Sequence, residues 1–285
     1  MTSQFEEARK AFHATLLESI LIEDSRGIPS NADGAQKASV TLAKGIMRQI
    51  GVSVSGDKLA GQTAGNQFEA ICLRFLEPTF LSLAHLRPGN WAIEQVKSRT
   101  TLGIAKFDQY AHLTQLSLAA KKDRALAAAL QSDYTISPDL IIARMPEPDS
   151  TINRNALLVD DSVAKRTSIR AVNNDRQILH ASISCKWTIR SDRAQNARSE
   201  ALNLIRNRKG HLPHIVVITG EPLPSRLASL ALGTGDIDCV YHFALPELIK
   251  AVEDAGLGDS AEMLSIMTEG KRLKDIADLP LDLAI

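Results

Sequence analysis

The feature that most constrains the fold is an alternation of short apolar segments and amphipathic segments through the second half of the chain. Apolar, β-branched runs predict strands, and segments with apolar residues three or four apart predict helices. The predicted strands are residues 134–144, 178–189, 214–219 and 237–243. The predicted helices between and after them are residues 194–208, 224–232, 245–256 and 259–268. This alternation indicates an α/β fold with a central mixed sheet flanked by helices.

The first half of the chain is mainly helical by the same criteria. The predicted elements are helices over 4–22, 35–50 and 66–86, a loop over 51–65, a strand over 91–96 and helices within 104–131. Pro78 interrupts the third helix, and a polar insertion fills 145–177. We expect one domain over 1–285, with a helical N-terminal part (1–90), an α/β core (91–245) and a helical C-terminal part (246–285).

Charge is unevenly distributed although the formal net charge is zero. From Lys165 to Gly210 there are eleven Lys or Arg against three Asp or Glu, whereas from Leu245 to Ile285 there are four against nine. A nucleic-acid surface needs local positive potential rather than a basic whole chain. The basic run therefore fits either such a surface or the solvated face of a helix.

Several classes of protein do not fit this sequence. No apolar run approaches the ~20 residues that cross a bilayer, and the N-terminus lacks the basic and apolar regions of a signal peptide. Three widely spaced cysteines fit neither a disulfide framework nor a zinc knuckle. We expect a cytoplasmic protein with no membrane partner and no nucleotide cofactor, since the glycine-rich stretch lacks a phosphate-loop ending.

An acid and a lysine lie on two of the predicted strands. Asp139 follows Pro138 at the start of an apolar run, where proline removes no central ladder bond. In the later strand Ser184 and Lys186 share one face, and the opposite face is apolar. An ammonium on a largely buried strand needs an anion beside it. If the strands are neighbours, Asp139 and Lys186 can meet.

Carboxylates and a lysine together suit metal-dependent phosphodiester cleavage. Mg²⁺ prefers oxygen ligands, and a lysine can neutralise the developing charge on a phosphate. Asp139 needs a second acid, for which Glu200 is the first candidate and Glu69 the second. Taken singly, such residues are more often a turn residue, an edge-strand lysine or solvated helix acids. Their joint occurrence favours a nuclease.

The run after Lys186 has the composition of a base-reading helix tip. Ser191 can cap the helix, which places Arg190, Asp192 and Arg193 at its end. Arginine pairs bidentately with guanine and an acid accepts from cytosine, so the trio suits adjacent G·C pairs. An Arg–Asp surface pair is the alternative.

These motifs resemble a known family. Pro138-Asp139, Ser184-Cys185-Lys186 and Glu200 are similar to the rearranged PD-(D/E)xK signature of type II restriction endonucleases that cut CCGG-centred palindromes. Ser184 stands where the usual acid would precede the lysine; in this family the missing carboxylate comes from the following helix, a position that Glu200 fits. The resemblance covers residues 137–200 and implies a restriction-endonuclease-like core.

The resemblance also implies ligands and partners. It implies two Mg²⁺ ions per site, with Asp139, Glu200 and the main-chain carbonyl of Cys185 as ligands and Glu69 completing the acidic site. It implies that Arg190, Asp192 and Arg193 read CCGG in double-stranded DNA, within a homotetramer. GCCGGC, cut before the first C to leave a four-base 5′ overhang, is the expected site. Candidate readers of its outer pair are Asp33, Gln62 and Arg226.

Two alternatives to a restriction enzyme remain at the level of the sequence. One is a repair or structure-specific nuclease with the same core. The other is a sequence-specific DNA-binding protein without catalysis. Cleavage at one common end sequence would distinguish restriction from both.

Overall fold

A computed structural model describes most of the chain. It covers residues 2–51, 61–96, 103–125, 128, 138–189, 191–233 and 235–285, and for 191–194 it describes the backbone alone. The chain divides into two compact units. The first unit comprises Met1–Leu83, Ile183–Arg198 and Ile215–Ile285, and the second comprises Ala84–Ser182 and Ser199–His214. The single-domain expectation stays a prediction.

Helices and strands alternate in the second half of the chain, as predicted. The helices are α1 (Gln4–Ser19), α2 (Lys37–Ile50), α3 (Gly61–Leu81), α4 (His112–Lys122), α5 (Asp149–Ile152), α6 (Ser191–Asn207), α7 (Pro224–Ala231), α8 (Leu245–Asp254), α9 (Gly258–Glu269) and α10 (Leu279–Asp282). The strands are β1 (Trp91–Gln95), β2 (Leu140–Arg144), β3 (Ile178–Lys186), β4 (His214–Thr219), β5 (Cys239–His242) and β6 (Leu273–Asp275).

In the described part of the chain, six strands form one sheet in chain order, β1 to β6. β1 pairs antiparallel with β2, whereas β4, β5 and β6 pair parallel to one another. This confirms the predicted α/β fold with a central mixed sheet. β2 is buried on both faces, because Leu140, Ile141, Ile142 and Ala143 have no exposed surface. Among the described residues, no helix is long and apolar enough to cross a membrane.

α3 begins earlier and continues further than the glycines and Pro78 suggested. Residues 61–65 were expected in a loop but form the first turn of the helix, and Pro78 lies inside its last turns. Residues 52–60 of that loop lie outside the described part. Pro78 has no N–H group, so it removes one hydrogen bond from α3. The Thr79 hydroxyl donates to the carbonyl of Phe75 at 2.7 Å, which gives the last turn a further bond.

Residues 104–110 form two short 3₁₀ turns, over Ile104–Lys106 and Asp108–Tyr110, instead of the predicted helix. The side chain of Gln109 pairs with both backbone groups of Leu179, at 2.7 and 2.9 Å. The Tyr110 hydroxyl donates to the carbonyl of Leu204 at 3.1 Å. These tertiary bonds override the local helical pattern.

The C-terminal part, predicted as helical, also contains a strand. β6 extends the parallel sheet, with Leu273 opposite Val240. The guanidinium of Arg9 binds Asp275 in β6 at 2.8 Å and Glu247 in α8. This ion-pair network joins the edge of the sheet to α1 and α8. It links residues far apart in the sequence, so the local apolar pattern does not predict it.

Candidate active site

Asp139 is fixed at the start of β2. Its backbone carbonyl accepts a hydrogen bond from the amide of Val96 at 3.0 Å, one step beyond the last paired residues of β1 and β2. The residue is only 7% exposed. The sequence prediction of an acid at the start of an apolar strand therefore matches the structure. The backbone of this acid is held by a hydrogen bond of the sheet.

The end of β3 has the two faces that the sequence predicted. Ile183, Cys185 and Trp187 are buried, whereas Ser184 and Lys186 are partly exposed. Lys186 is the last residue of the strand. The lysine therefore lies where the partly exposed face of the strand ends.

The backbone at Lys186 is locked by the loop after β4. Its carbonyl accepts hydrogen bonds from the Thr219 hydroxyl at 2.8 Å and from the Gly220 amide at 3.2 Å. A side chain at position 220 would lie 2.6 Å from the ring of Trp187, so only glycine permits this approach. The backbone that carries the Lys186 side chain is thus held in one position.

Glu69 lies on α3, the helix that contacts the residue after β3. It is 9% exposed and follows Phe68, whose ring packs against that of Trp187 at 5.0 Å. The Trp187 ring also packs against Phe243 at 5.8 Å. The first unit therefore brings α3 and the end of β3 together through an aromatic contact next to both Glu69 and Lys186.

Glu200 lies on α6, partly exposed, within the second unit, as Asp139 does. Lys186 and Glu69 belong to the first unit. Among the described residues, no three His, Cys, Asp or Glu side chains are close enough together to hold a metal ion. The predicted ligand set contains two carboxylates and the backbone carbonyl of Cys185, and its assembly stays a prediction.

The predicted base-reading tip is only partly described. Arg190 lies outside the described residues, and so do the side chains of Asp192 and Arg193. α6 begins at Ser191, so this residue is the first of the helix rather than its N-cap. The roles of the three readers stay predictions.

Two of the three candidate outer readers lie together. The guanidinium of Arg226, on α7, pairs with the carboxylate of Asp33 at 2.5 Å, and both side chains are partly exposed. The side-chain amide of Asn31 donates to the carbonyl of Gly220 at 2.9 Å, which holds the loop of Asp33 to the loop after β4. Gln62 is exposed in the first turn of α3. That Asp33 and Arg226 form an ion pair was not predicted.

Sequence reasoning missed Glu221, which has no exposed surface. One carboxylate oxygen accepts from the amide of Ile189 at 2.8 Å, and the other accepts from the amide of Leu223 at 3.2 Å. The guanidinium of Arg226 lies 3.6 Å away. The missed signal is an acid that follows the buried strand β4 after a single glycine.

Burial is the main cause of the pKa shifts of Glu221 and His242. It raises the pKa of the Glu221 carboxyl above its usual range, although two amides and Arg226 oppose the change. Burial likewise lowers the pKa of His242 to about 4. The Nδ1 atom of His242 accepts from the Ala244 amide at 3.1 Å, so the ring is neutral and its Nε2–H faces the Glu221 carbonyl oxygen at 3.2 Å.

Comparison with known proteins establishes the class. A model of the NgoMIV restriction enzyme family matches residues 12–285. The chain belongs to this family, and it is a type II restriction endonuclease, a site-specific deoxyribonuclease.

A particular relative is the type II restriction enzyme NgoMIV of Neisseria gonorrhoeae. It is 56% identical over 286 residues, and the alignment covers 100% of both chains. The recognised family is thus confirmed over the whole length, well beyond residues 137–200.

Two solved structures are more distant. The restriction endonuclease Bse634I with cognate DNA has 12% identity and a TM-score of 0.37, covering 90% of this chain and 91% of that one. The PspGI–substrate DNA complex has 14% identity and a TM-score of 0.25, covering 98% and 89%. Because both scores are low, the family assignment rests on the sequence matches.

Proposed function

We propose that this enzyme cleaves both strands of DNA at a CCGG-centred palindrome, GCCGGC, before the first C, leaving four-base 5′ overhangs. The observation that carries the proposal is Lys186, held rigidly at the end of β3 with its side chain on the polar face. The buried Asp139 at the start of β2 is its predicted acidic partner. The match to the NgoMIV family over residues 12–285 supports the specificity class.

Lys186, Ser184 and the acids have distinct roles in this proposal. The ammonium of Lys186 orients the attacking water and offsets the negative charge that develops on the phosphate. Ser184 lies on the same face, where it leaves room for an acid supplied by Glu200. Glu69 adds negative charge on the side of α3.

The donor set fits Mg²⁺. Asp139, Glu200 and the carbonyl of Cys185 offer only oxygen atoms, which a hard cation prefers, and no imidazole or thiolate is needed. Asp139 and Glu200 would hold the ion, with two ions per site in the full proposal. When bound, Mg²⁺ lowers the pKa of a water ligand and offsets charge on the phosphate. The buried position of Asp139 suits such a ligand, because a cation compensates a desolvated carboxylate.

Recognition is assigned to two groups of side chains. Arg190, Asp192 and Arg193 read the inner CCGG pairs, since arginine suits guanine and aspartate suits cytosine. Arg226 and Asp33 read the outer pair, which their ion pair and partial exposure support. Gln62 is a third outer candidate because its side chain is exposed.

The proposal includes an assembly and a compartment. A homotetramer would bind two DNA sites at once, and the mass of the purified protein by analytical ultracentrifugation tests this. The cytoplasm fits three cysteines that form no disulfide.

Plasmid digestion with mapped ends tests the proposed function. Wild-type protein should give discrete fragments with one common GCCGGC end sequence when Mg²⁺ is present, and none with EDTA. Lys186→Ala should cut about a thousandfold more slowly, because one positioned charge is lost. The control Lys250→Ala changes an exposed lysine of α8 and should cut normally. Scattered ends would indicate a repair or structure-specific nuclease, and undiminished cutting by Lys186→Ala would refute the role of this lysine.

A further inference from the structure

Glu221 is a buried carboxylate that accepts a hydrogen bond from Ile189, which lies in a distant segment of the chain. It has no exposed surface and belongs to residues 219–226 (the Glu221 turn), which run from the last residue of β4 to the first turn of α7. Burying a carboxylate costs free energy unless hydrogen bonds and charges compensate it. Its compensation comes from Ile189, thirty-two positions earlier, from Leu223 and from Arg226.

Each of these partners either is a predicted DNA-reading residue or lies next to a segment that carries one. Ile189 is bonded to residue 190, and the helix α6 starts at residue 191. Leu223 is the N-cap position of α7, the helix that carries Arg226. Arg226 itself lies 3.6 Å from the carboxylate and also pairs with Asp33. One side chain therefore connects the segment of the inner readers to the helix of an outer reader.

The Glu221 turn also holds the catalytic lysine. The hydroxyl of Thr219 donates to the Lys186 carbonyl and accepts from the Glu221 amide at 3.2 Å. A shift of Glu221 would therefore disturb the backbone at Lys186, through Thr219, and the backbone at Ile189, through its own hydrogen bond to that amide. An apolar side chain could fill the same volume, but it could not bind the Ile189 amide or the Arg226 guanidinium.

We propose that Glu221 is a positioning residue for sequence discrimination, which sets the inner readers at residues 190–193 and the outer reader Arg226 in register with each other. This inference rests on the proposed function, because it needs a CCGG-centred site to be read. Glu221 does not touch DNA in this account. It acts through the Ile189 backbone and through Arg226.

The test is the effect of Glu221→Gln on discrimination. Single-turnover cleavage rates are measured on a GCCGGC duplex and on two duplexes altered at the outer or at an inner pair. An amide has one acceptor oxygen, so it cannot serve both the Ile189 and Leu223 amides, and it carries no charge for Arg226. We expect the ratio of cognate to altered rates to fall by about tenfold, the size of one charge-assisted hydrogen bond. A purely structural role would lower all three rates by the same factor.

The matched control is Glu247→Gln, which changes another carboxylate of the first unit that binds an arginine, Arg9. It should alter the melting temperature and leave the discrimination ratio within about twofold of wild type. If Glu221→Gln does not fold, Glu221→Asp is measured in the same way, since it keeps the charge but draws it back by one methylene. A wild-type ratio in the folded Glu221 variant overturns the inference. If wild-type protein does not cut CCGG-containing DNA at all, the proposed function fails and the inference falls with it.

Discussion

The Glu221 turn and the polar insertion (residues 145–177, the Arg170 loop) each bury one ionisable side chain, but the partners of the two side chains lie in different places. Arg170 is 2% exposed and pairs with Asp149 at 2.5 Å, and it also donates to the carbonyls of Val163 and Asp160. All of these partners lie within the loop itself. Glu221, in contrast, accepts a hydrogen bond from Ile189, outside the Glu221 turn, and its cationic partner Arg226 is itself a predicted reader.

The pKa directions show the difference. The hydrogen bond from Arg170 lowers the pKa of Asp149 below its usual range, so the charged pair is favoured in the folded loop. Burial raises the pKa of Glu221, so the folded state disfavours its charge despite the bonds it receives. A raised acid pKa means that stability falls as pH rises through that pKa. The pairing of Arg170 thus favours the charged state of Asp149 in the folded loop, whereas burial opposes the charge of Glu221.

The largest effect on stability at neutral pH is expected for Arg170→Met. The variant keeps most of the bulk of the side chain but removes every hydrogen bond that the guanidinium makes, and it should lower the melting temperature by several degrees. The discrimination ratio should stay at the wild-type value, which the duplex assay above measures. Arg166→Met, an exposed position of the same loop, is the control and should melt as wild type does. A discrimination ratio that fell with Arg170→Met would erase the contrast between the two regions.

An effect that appears only at acidic pH is expected at His242, whose ring contacts the Glu221 carbonyl. Its pKa is lowered to about 4 from 6.5, so its neutral ring contributes stability that is complete above about pH 6.5 and is lost as the pH falls towards 4. Protonation would turn Nδ1 into a donor against the Ala244 amide. The loss should reach about 3 kcal/mol, at 1.36 kcal/mol per pKa unit.

Urea unfolding between pH 7 and 4 measures this loss. His242→Gln should show a shallower fall in the free energy of unfolding, whereas His85→Gln, at an exposed position, should follow wild type. The Arg170 loop contains no histidine, so it offers no comparable group in this pH range. Equal slopes for wild type and His242→Gln would show that this ring titrates normally.

Local patterns predicted what depends on neighbours in sequence. Apolar runs predicted β2 and β3, although β3 ends at Lys186 rather than at residue 189, and the two faces of β3 followed from its period of two. Tertiary bonds decided the rest: Gln109 and Tyr110 bind distant carbonyls, so 104–110 is not a helix. β6 is a strand because β5 offers it an edge.

Buried charges were the hardest features to predict. Arg170 has the sequence context of a solvated arginine, and its burial depends on how the loop closes on Asp149. Glu221 could have been noticed as an acid after an apolar strand, but its bond to Ile189 requires the packing of β4 beside the end of β3. The ion pair of Asp33 with Arg226 joins residues 193 positions apart, which no spacing rule predicts.

A crystal structure of the enzyme with a GCCGGC duplex and Ca²⁺, which supports binding in place of Mg²⁺, tests the central claim most directly. We expect the carboxylates of Asp139 and Glu200 and the carbonyl oxygen of Cys185 to ligate one cation, with the Lys186 ammonium beside the scissile phosphate. A cation held by other residues, or Asp139 and Lys186 on opposite sides of the DNA backbone, would contradict the account.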